Sequence, residues 1–222
     1  MTAMIDTILN STNAALIIFA ASTAIASAFV RSPLKRVAVG AIVVLVAMGI
    51  PVSVRSLFGW TVSAVERPSL PGFFLLVALA VSAAMGWQIA RFAEFRFATL
   101  VLAVTGFVLY PGAAGFLNYD TYVIGYSGYL LPAAIAVVIA YALWRGYLLT
   151  ALALNTAVAA FLLGAGESRN LWDYVIDPIA WIIGLGASIA IATGMVIGKF
   201  RTGEIAASSQ PSAGIGETPI SH

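Results

Sequence analysis

The sequence contains no cysteine, and its one histidine is the final residue, His222. Without cysteine the protein forms no disulfide bond, uses no thiolate in catalysis, and holds neither cysteine-bound zinc nor an iron–sulfur cluster. A lone histidine at the end of the chain excludes haem held by paired histidines and a histidine base inside the core. We therefore expect no cofactor and no metal bound by cysteine or histidine. Oxygen ligands alone leave a Ca²⁺ or Mg²⁺ site as the alternative, but the spacing of the acids matches no known loop, so we expect no metal site.

Charge is also scarce. Charged residues make up 9% of the 222 residues, while hydrophobic residues make up 61%. Soluble domains carry about 25% charged residues, so this composition indicates a protein surrounded by lipid. The net charge is only +2 and no basic cluster accompanies it, which argues against binding to nucleic acid. The first ten residues contain Asp6 but no lysine or arginine, unlike the start of a secretory signal.

Seven long apolar runs predict seven membrane-spanning helices, because about 20 apolar residues cross a bilayer core of about 30 Å. The predicted helices cover residues 13–30, 37–54, 73–90, 97–117, 129–144, 147–165 and 177–198. Residues 199–222 are rich in serine, glycine and proline, which predicts a disordered tail. The sequence thus predicts an all-α integral membrane bundle over residues 1–198, followed by a disordered cytoplasmic tail.

The basic residues predict the orientation of this bundle, because lysine and arginine accumulate on the cytoplasmic side. One side collects Arg31, Lys35, Arg36, Arg91, Arg96, Arg145, Lys199 and Arg201. The other side collects Arg55, Arg67 and Arg169. We therefore expect the N-terminus outside, the C-terminus in the cytoplasm, and location in a bacterial cytoplasmic (inner) membrane.

The segment 167–178 concentrates charge and aromatic rings between the last two predicted helices. Its candidate ligand-binding residues are Glu167, Arg169, Trp172, Asp173 and Asp177. If the segment is helical, the two aspartates share a face and raise each other's proton affinity. Alternatively Asp177, which precedes a proline, caps the last helix, and the other two acids are exposed polar residues. We expect Arg169 to pair with one of these acids.

A tyrosine-rich turn, residues 118–129, lies on the same predicted side as those acids. It contributes Asp120, Tyr122 and Tyr126 as candidate ligand-binding residues. Aromatic faces beside carboxylates suit sugars or cationic groups, through stacking and cation–π attraction. The alternative is the belt of aromatic residues that anchors membrane proteins at the level of the lipid head groups.

A few polar side chains and one proline interrupt the apolar runs. Pro111 predicts a break or kink in the fourth helix, and Asn155 and Thr156 predict hydrogen bonds between helices. Glu94 follows Arg91 by three residues, so we expect a surface ion pair between them.

Small residues recur every four positions along the last predicted helix, at Gly186, Ala190, Gly194 and Gly198. Such a ridge lets another helix approach closely. The partner helix belongs either to this chain or to another one, which leaves open a homo-oligomer or a complex with other membrane subunits.

Three functional hypotheses follow. The first is a transporter or flippase-like protein that binds a polar or lipid-borne small molecule at its extracytoplasmic face. The second is a non-catalytic membrane subunit or assembly partner of a larger membrane complex. The third is an extracytoplasmic transferase or hydrolase acting on a lipid-linked substrate, with Asp173 or Glu167 as its base. The chain lacks a recognisable nucleophile–base pair, so we expect no catalytic residues and place the third hypothesis last.

Overall fold

The computed structural model of the protein describes residues 2–64, 69–126, 128–166 and 168–208. It is all-helical, with 77% helix. The α-helices are α1 (Thr2–Ser27), α2 (Pro33–Gly49), α3 (Leu57–Ala64), α4 (Leu70–Met85), α5 (Phe92–Ala113), α6 (Leu130–Trp144), α7 (Leu148–Leu162), α8 (Trp172–Val175) and α9 (Pro178–Ser208). A small antiparallel hairpin, β1 (Pro51–Val52) and β2 (Arg55–Ser56), connects α2 to α3. A 3-10 helix, Thr121–Gly125, follows α5.

Each predicted helix corresponds to a long helix of the structure, namely α1, α2, α4, α5, α6, α7 and α9. Two segments, Phe92–Ala113 and Pro178–Met195, are long and apolar enough to cross a membrane. The apolar helices α4, α6 and α7 have 16, 15 and 15 residues, which correspond to about 22–24 Å at 1.5 Å per residue. The all-helical class is therefore confirmed, and the seven spans stay a prediction.

The helix ends follow local sequence signals. Pro33 opens α2, where its missing N–H costs nothing and its fixed φ suits the first turn. The hydroxyl of Ser69 accepts a hydrogen bond from the N–H of Gly72 and caps the start of α4. Gly86, with φ of 75°, is the C-cap of this helix. A glycine adopts this left-handed conformation without the steric cost that a Cβ imposes.

Two predicted boundaries differ from the structure. Pro111 lies in the last turn of α5, which runs unbroken to Ala113, so the interruption is at the helix end. The helix α9 continues through Gly198 to Ser208, past the point where the tail was predicted to begin. Residues 209–222 of that tail lie outside the described residues.

The packing of α5 against α9 depends on glycines that accept large neighbours. An added Cβ at Gly106 would lie 2.1 Å from Cδ1 of Trp181, so the indole ring covers this glycine. An added Cβ at Gly184 would lie 2.7 Å from Cβ of Leu102. Close approach of small residues is the usual basis of helix pairing in lipid. The remaining bundle is built by α1 packing on α2 and α4, and by α6 packing on α7.

Candidate functional site

The segment 168–177 folds over one end of the bundle and is held there by Asn170. This side chain is 0% exposed. Its Nδ2 donates to the carbonyl oxygen of Tyr122 at 2.9 Å, and its Oδ1 accepts from the backbone N–H of Trp172 at 3.0 Å. A buried amide is stable only when it is hydrogen-bonded, and these two bonds join α8 to the 3-10 helix.

The 3-10 helix meets this segment at a very short distance. An added Cβ at Gly125 would lie 1.8 Å from Oδ1 of Asn170, so only glycine fits there. The Gly125 carbonyl accepts from the N–H of Leu171 at 2.9 Å, and the indole Nε1 of Trp172 donates to the carbonyl of Thr121 at 3.0 Å. The Thr121 hydroxyl in turn donates to the carbonyl of Leu109 in α5 at 2.9 Å. The two loops therefore form one hydrogen-bonded cover over the end of the bundle.

Asp177 is the N-cap of α9. Its Oδ1 accepts from the N–H of Ala180 at 2.8 Å, three residues into the helix. Its Oδ2 accepts from the N–H and the hydroxyl of Ser69, at 2.8 and 2.7 Å. Both oxygens are thus occupied in joining the N-termini of α4 and α9. The cap on α9 is the one that the capping alternative predicted, whereas the link to α4 was not predicted.

Asp173 and Asp177 do not share a helix face. The helix α8 ends at Val175, and Ile176 is extended, with φ −149° and ψ 143°. The chain therefore turns between the two carboxylates and gives each of them different partners.

Asp173 is exposed and lies beside Tyr122. The phenol OH of Tyr122 is 2.9 Å from each carboxylate oxygen of Asp173, and the hydroxyl of Ser168 donates to Oδ2. The rings of Tyr122 and Tyr126 meet edge to face with centroids 5.4 Å apart. The structure thus brings together Asp173, Tyr122 and Tyr126 from the predicted set.

These contacts alter the acidity of Tyr122. Burial raises the pKa of its phenol above the ordinary value of 10.0, and the hydrogen bond to Asp173 and the negative charge of that carboxylate raise it further. Contacts with Tyr126 act in the same direction. The Tyr122 phenol is therefore a proton donor at neutral pH, and it orients the carboxylate of Asp173.

The other predicted site residues have different surroundings. Asp120 accepts from the N–H of Tyr122 at 2.8 Å and caps the 3-10 helix. Trp172 is buried, with 4% exposed, and its role is structural. Arg169 is exposed, and within the described part of the chain it pairs with neither Asp173 nor Asp177. Glu167 lies outside the described residues.

At Gly186, Ala190 and Gly194 the small-residue ridge of α9 faces away from the other helices that the structure describes. Gly186, Ala190 and Gly194 are exposed, and an added Cβ at Gly186 or Gly194 would meet nothing within 4 Å. The surroundings of Gly198 lie outside the described residues. The glycines that pack α9 onto α5 are Gly184 and Gly106, at positions where the four-residue repeat gave no signal.

At the opposite end of the bundle Glu94 is buried, with 4% exposed. The prediction of a surface ion pair between Glu94 and Arg91 is therefore wrong. Its Oε1 accepts from the N–H of Thr150 at 3.0 Å, in the first turn of α7. Arg91 instead donates to the carbonyl of Gly146 at 3.1 Å. The carboxylate supplies an acceptor that the unpaired N–H groups of a helix start require.

The polar residues of α7 bond within their own helix. Nδ2 of Asn155 donates to the Ala151 carbonyl at 2.8 Å, and the Thr156 hydroxyl donates to the Leu152 carbonyl at 2.7 Å. Within the part of the chain that the structure describes, neither side chain forms the predicted bond between helices. A polar side chain in a helix often returns to the carbonyl four residues earlier.

Sequence reasoning missed Asn170, Ser168 and Ser69 at the covered end. Each bonds to residues that are distant in sequence or belong to an irregular turn, so no helical or strand period marks them. The one available signal was the Ser69-Leu70-Pro71 start of α4, which is typical of a capped helix.

Among the described residues, no group of three or more histidines, cysteines or acids is placed to hold a metal ion. Comparison with known proteins gives no match: no family model, no curated protein and no solved structure matches the chain. The chemistry of the cluster must therefore be argued from its own residues.

Proposed function

We propose that this chain is an integral membrane protein of about seven spans, which binds and transports a polar or lipid-borne small molecule at its extracytoplasmic face. A bacterial cytoplasmic membrane is the location we propose. The orientation follows from the distribution of lysine and arginine, which puts the cluster of Asp173, Tyr122 and Tyr126 outside.

Exposed apolar surface supports the membrane part of this proposal. Large side chains along the long helices are exposed, among them Leu100, Val104, Phe107, Val137, Leu152, Ile182 and Ile189. Soluble monomers rarely expose contiguous apolar patches above a few hundred Å². Aromatic residues are exposed near both ends of the helices: Phe29, Trp87, Phe92 and Trp144 at one end, and Phe116, Tyr119, Tyr126 and Tyr129 at the other. This distribution is typical of the two aromatic belts of a membrane protein.

The observation that carries the binding proposal is the exposure of Asp173 and the identity of its hydrogen-bond donors. Among the acids whose side chains the structure describes, Glu94, Asp120 and Asp177 accept hydrogen bonds from backbone N–H groups at helix starts. Asp173 accepts only from the side chains of Tyr122 and Ser168 within the described residues, and it is exposed. A carboxylate oriented by a phenol and flanked by an aromatic face suits a cationic head group.

The test compares two lipids that differ in head-group charge. The purified protein is incubated with phosphatidylethanolamine or phosphatidylglycerol, and bound lipid is counted by native mass spectrometry. We expect preference for the ethanolamine lipid, and we expect Asp173→Asn to weaken its binding about tenfold, since one charge-assisted bond contributes about 1.5 kcal/mol.

Asp120→Asn is the matched control, because it removes one charge at the same end and asparagine caps a helix as well as aspartate. It should leave the lipid preference unchanged. Equal binding of both lipids by the unmodified protein, or equal losses in the two variants, would refute the proposal.

A second candidate function, a subunit of a larger membrane complex, is favoured by the free face of α9. Only 11% of the Pro178–Met195 segment is buried inside the chain, and Gly194 has open space beside it. Gly194→Leu should then lower the mass of the detergent-extracted complex to that of one chain. Ala192→Leu, at an exposed position beside the ridge, should not, and a single-chain mass for the unmodified protein would exclude this candidate.

A further inference from the structure

A small cavity lies where α1, α4 and the start of α9 meet, beside the Asp177 cap. Ile17 lines it from α1, Leu76 from α4, and Ile179 and Ile183 from α9. Its volume is about 20 Å³, and about 10–15 Å³ on the same measure suffices for one water molecule. The cavity therefore has room for an occupant of about the size of a single water.

Two polar side chains, Asn13 and Asp177, line this otherwise apolar cavity. Asn13 is buried, with 3% exposed, and among the described residues its amide has no hydrogen-bond partner. The amide of Asn155 returns to a carbonyl of its own helix, but that of Asn13 does not. Because a buried amide without a hydrogen bond costs free energy, the cavity is the place from which a partner can reach Asn13.

Asp177 has acceptor capacity left for such a partner. Its Oδ2 accepts from the N–H and the hydroxyl of Ser69, whereas its Oδ1 accepts only from the N–H of Ala180. Each carboxylate oxygen offers about two acceptor sites, so Oδ1 can accept one more hydrogen bond. No hydrogen bond joins Asn13 to Asp177 directly, so a molecule between them is needed to connect the two.

Water fits these two groups better than a metal ion does. Ca²⁺ and Mg²⁺ take about six to eight oxygen ligands, but the other side chains of the cavity wall, such as Ile17 and Leu76, offer only carbon. The N-termini of α4 and α9 also meet at Asp177, and their positive ends disfavour a cation. An ordered water needs only about two to four polar partners.

We propose that one ordered water occupies this cavity and bridges the amide of Asn13 to Oδ1 of Asp177. The water donates one hydrogen bond to the carboxylate and forms another with the amide. It thereby attaches α1 to the residue that already joins α4 to α9. The inference is independent of lipid binding, because neither Asn13 nor Asp177 belongs to the cluster of Asp173, Tyr122 and Tyr126.

The test is a density map of the full-length protein at a resolution that shows ordered waters. We expect one peak between the two side chains, about 2.7–3.2 Å from Oδ1 of Asp177 and from the amide of Asn13. A peak surrounded by oxygen ligands at about 2.3–2.6 Å would indicate a cation and overturn the proposal. The absence of a peak between the two groups would overturn it as well.

A matched pair of variants sharpens this test. Asn13→Leu keeps a similar volume but removes the polar atoms, so the peak should be lost. Asn155→Leu, exposed on α7, should retain it. A peak that persists in Asn13→Leu would contradict the bridge, and the map of the unmodified protein decides the proposal even if Asn13→Leu does not fold.

A thermal melt distinguishes water from a monovalent cation. The full-length protein is melted in sodium chloride and in choline chloride at the same concentration, and we expect equal midpoints within the error of measurement. A midpoint that sodium raises in the unmodified protein, but not in Asn13→Leu, would identify a cation site and overturn the proposal.

Discussion

The two ends of the bundle use their charged side chains differently. At the predicted cytoplasmic end, Arg36 donates to the carbonyls of Val30 and Ala83, and Arg91 donates to that of Gly146, while Glu94 accepts from the start of α7. Each of these groups satisfies backbone atoms near a helix end. At the opposite end Asp177 does the same, but Asp173 contacts side chains alone within the described residues. The contrast locates the candidate site at the end where a carboxylate is free of the backbone.

The largest expected effect tests the cover at that end. Asn170→Ala removes two buried hydrogen bonds and leaves a cavity, so we expect a loss of about 2–4 kcal/mol of unfolding free energy. A thermal melt followed by tryptophan fluorescence measures it. Asn155→Ala removes one bond within a helix at an exposed position and should shift the melt little. Equal shifts in the two variants would contradict the role given to Asn170.

A smaller effect is expected at the opposite end, from Glu94. Glu94→Ala removes the acceptor of the Thr150 N–H, so we expect a loss of about 1–2 kcal/mol, as for other helix caps. Glu94→Gln keeps an oxygen at that position and should recover most of the stability in the same thermal melt. If glutamine were as damaging as alanine, the interaction would depend on the negative charge rather than on the hydrogen bond.

The smallest expected effect is a change in the pKa of the Tyr122 phenol. Its raised pKa predicts that this phenol titrates above pH 10 in an ultraviolet absorbance titration. Asp173→Asn should lower that pKa only part of the way toward 10.0, because burial, the largest single cause, remains in the variant. Tyr122→Phe is the control that identifies its signal.

The raised pKa of Tyr122 also determines how the stability of the protein depends on pH. The native state holds the Tyr122 proton more tightly than the unfolded state, so this contribution to stability is fully present below about pH 10, the ordinary tyrosine pKa. It is lost as the pH rises above that value. If the Tyr122 phenol titrated at the ordinary tyrosine pKa, that result would contradict its contact with Asp173.

Much of the fold could be predicted from the sequence, because apolar runs and helix-end signals are local. Pro178 marks the start of α9, and Asp177 caps it. The buried roles of Glu94 and Asn170 were not predictable in this way. Their partners lie 56 and 48 residues away, and a local pattern carries no information about such contacts.

The candidate site was predicted only in part for the same reason. The pattern of acids and tyrosines located the region, but it did not separate Asp173 from Asp120 and Asp177. That distinction depends on which acids meet backbone N–H groups, and it is set by turns such as the extended Ile176.

The 15-residue length of α6 and α7 has a consequence for the proposed surroundings. At about 22 Å each, these two helices are several Å shorter than the hydrocarbon core of an average bilayer is thick. Lipid beside such a short wall thins locally, at a cost of fractions of a kcal/mol per Å of mismatch. In the proposed membrane, thinning next to α7 shortens the hydrocarbon distance that a polar head group crosses.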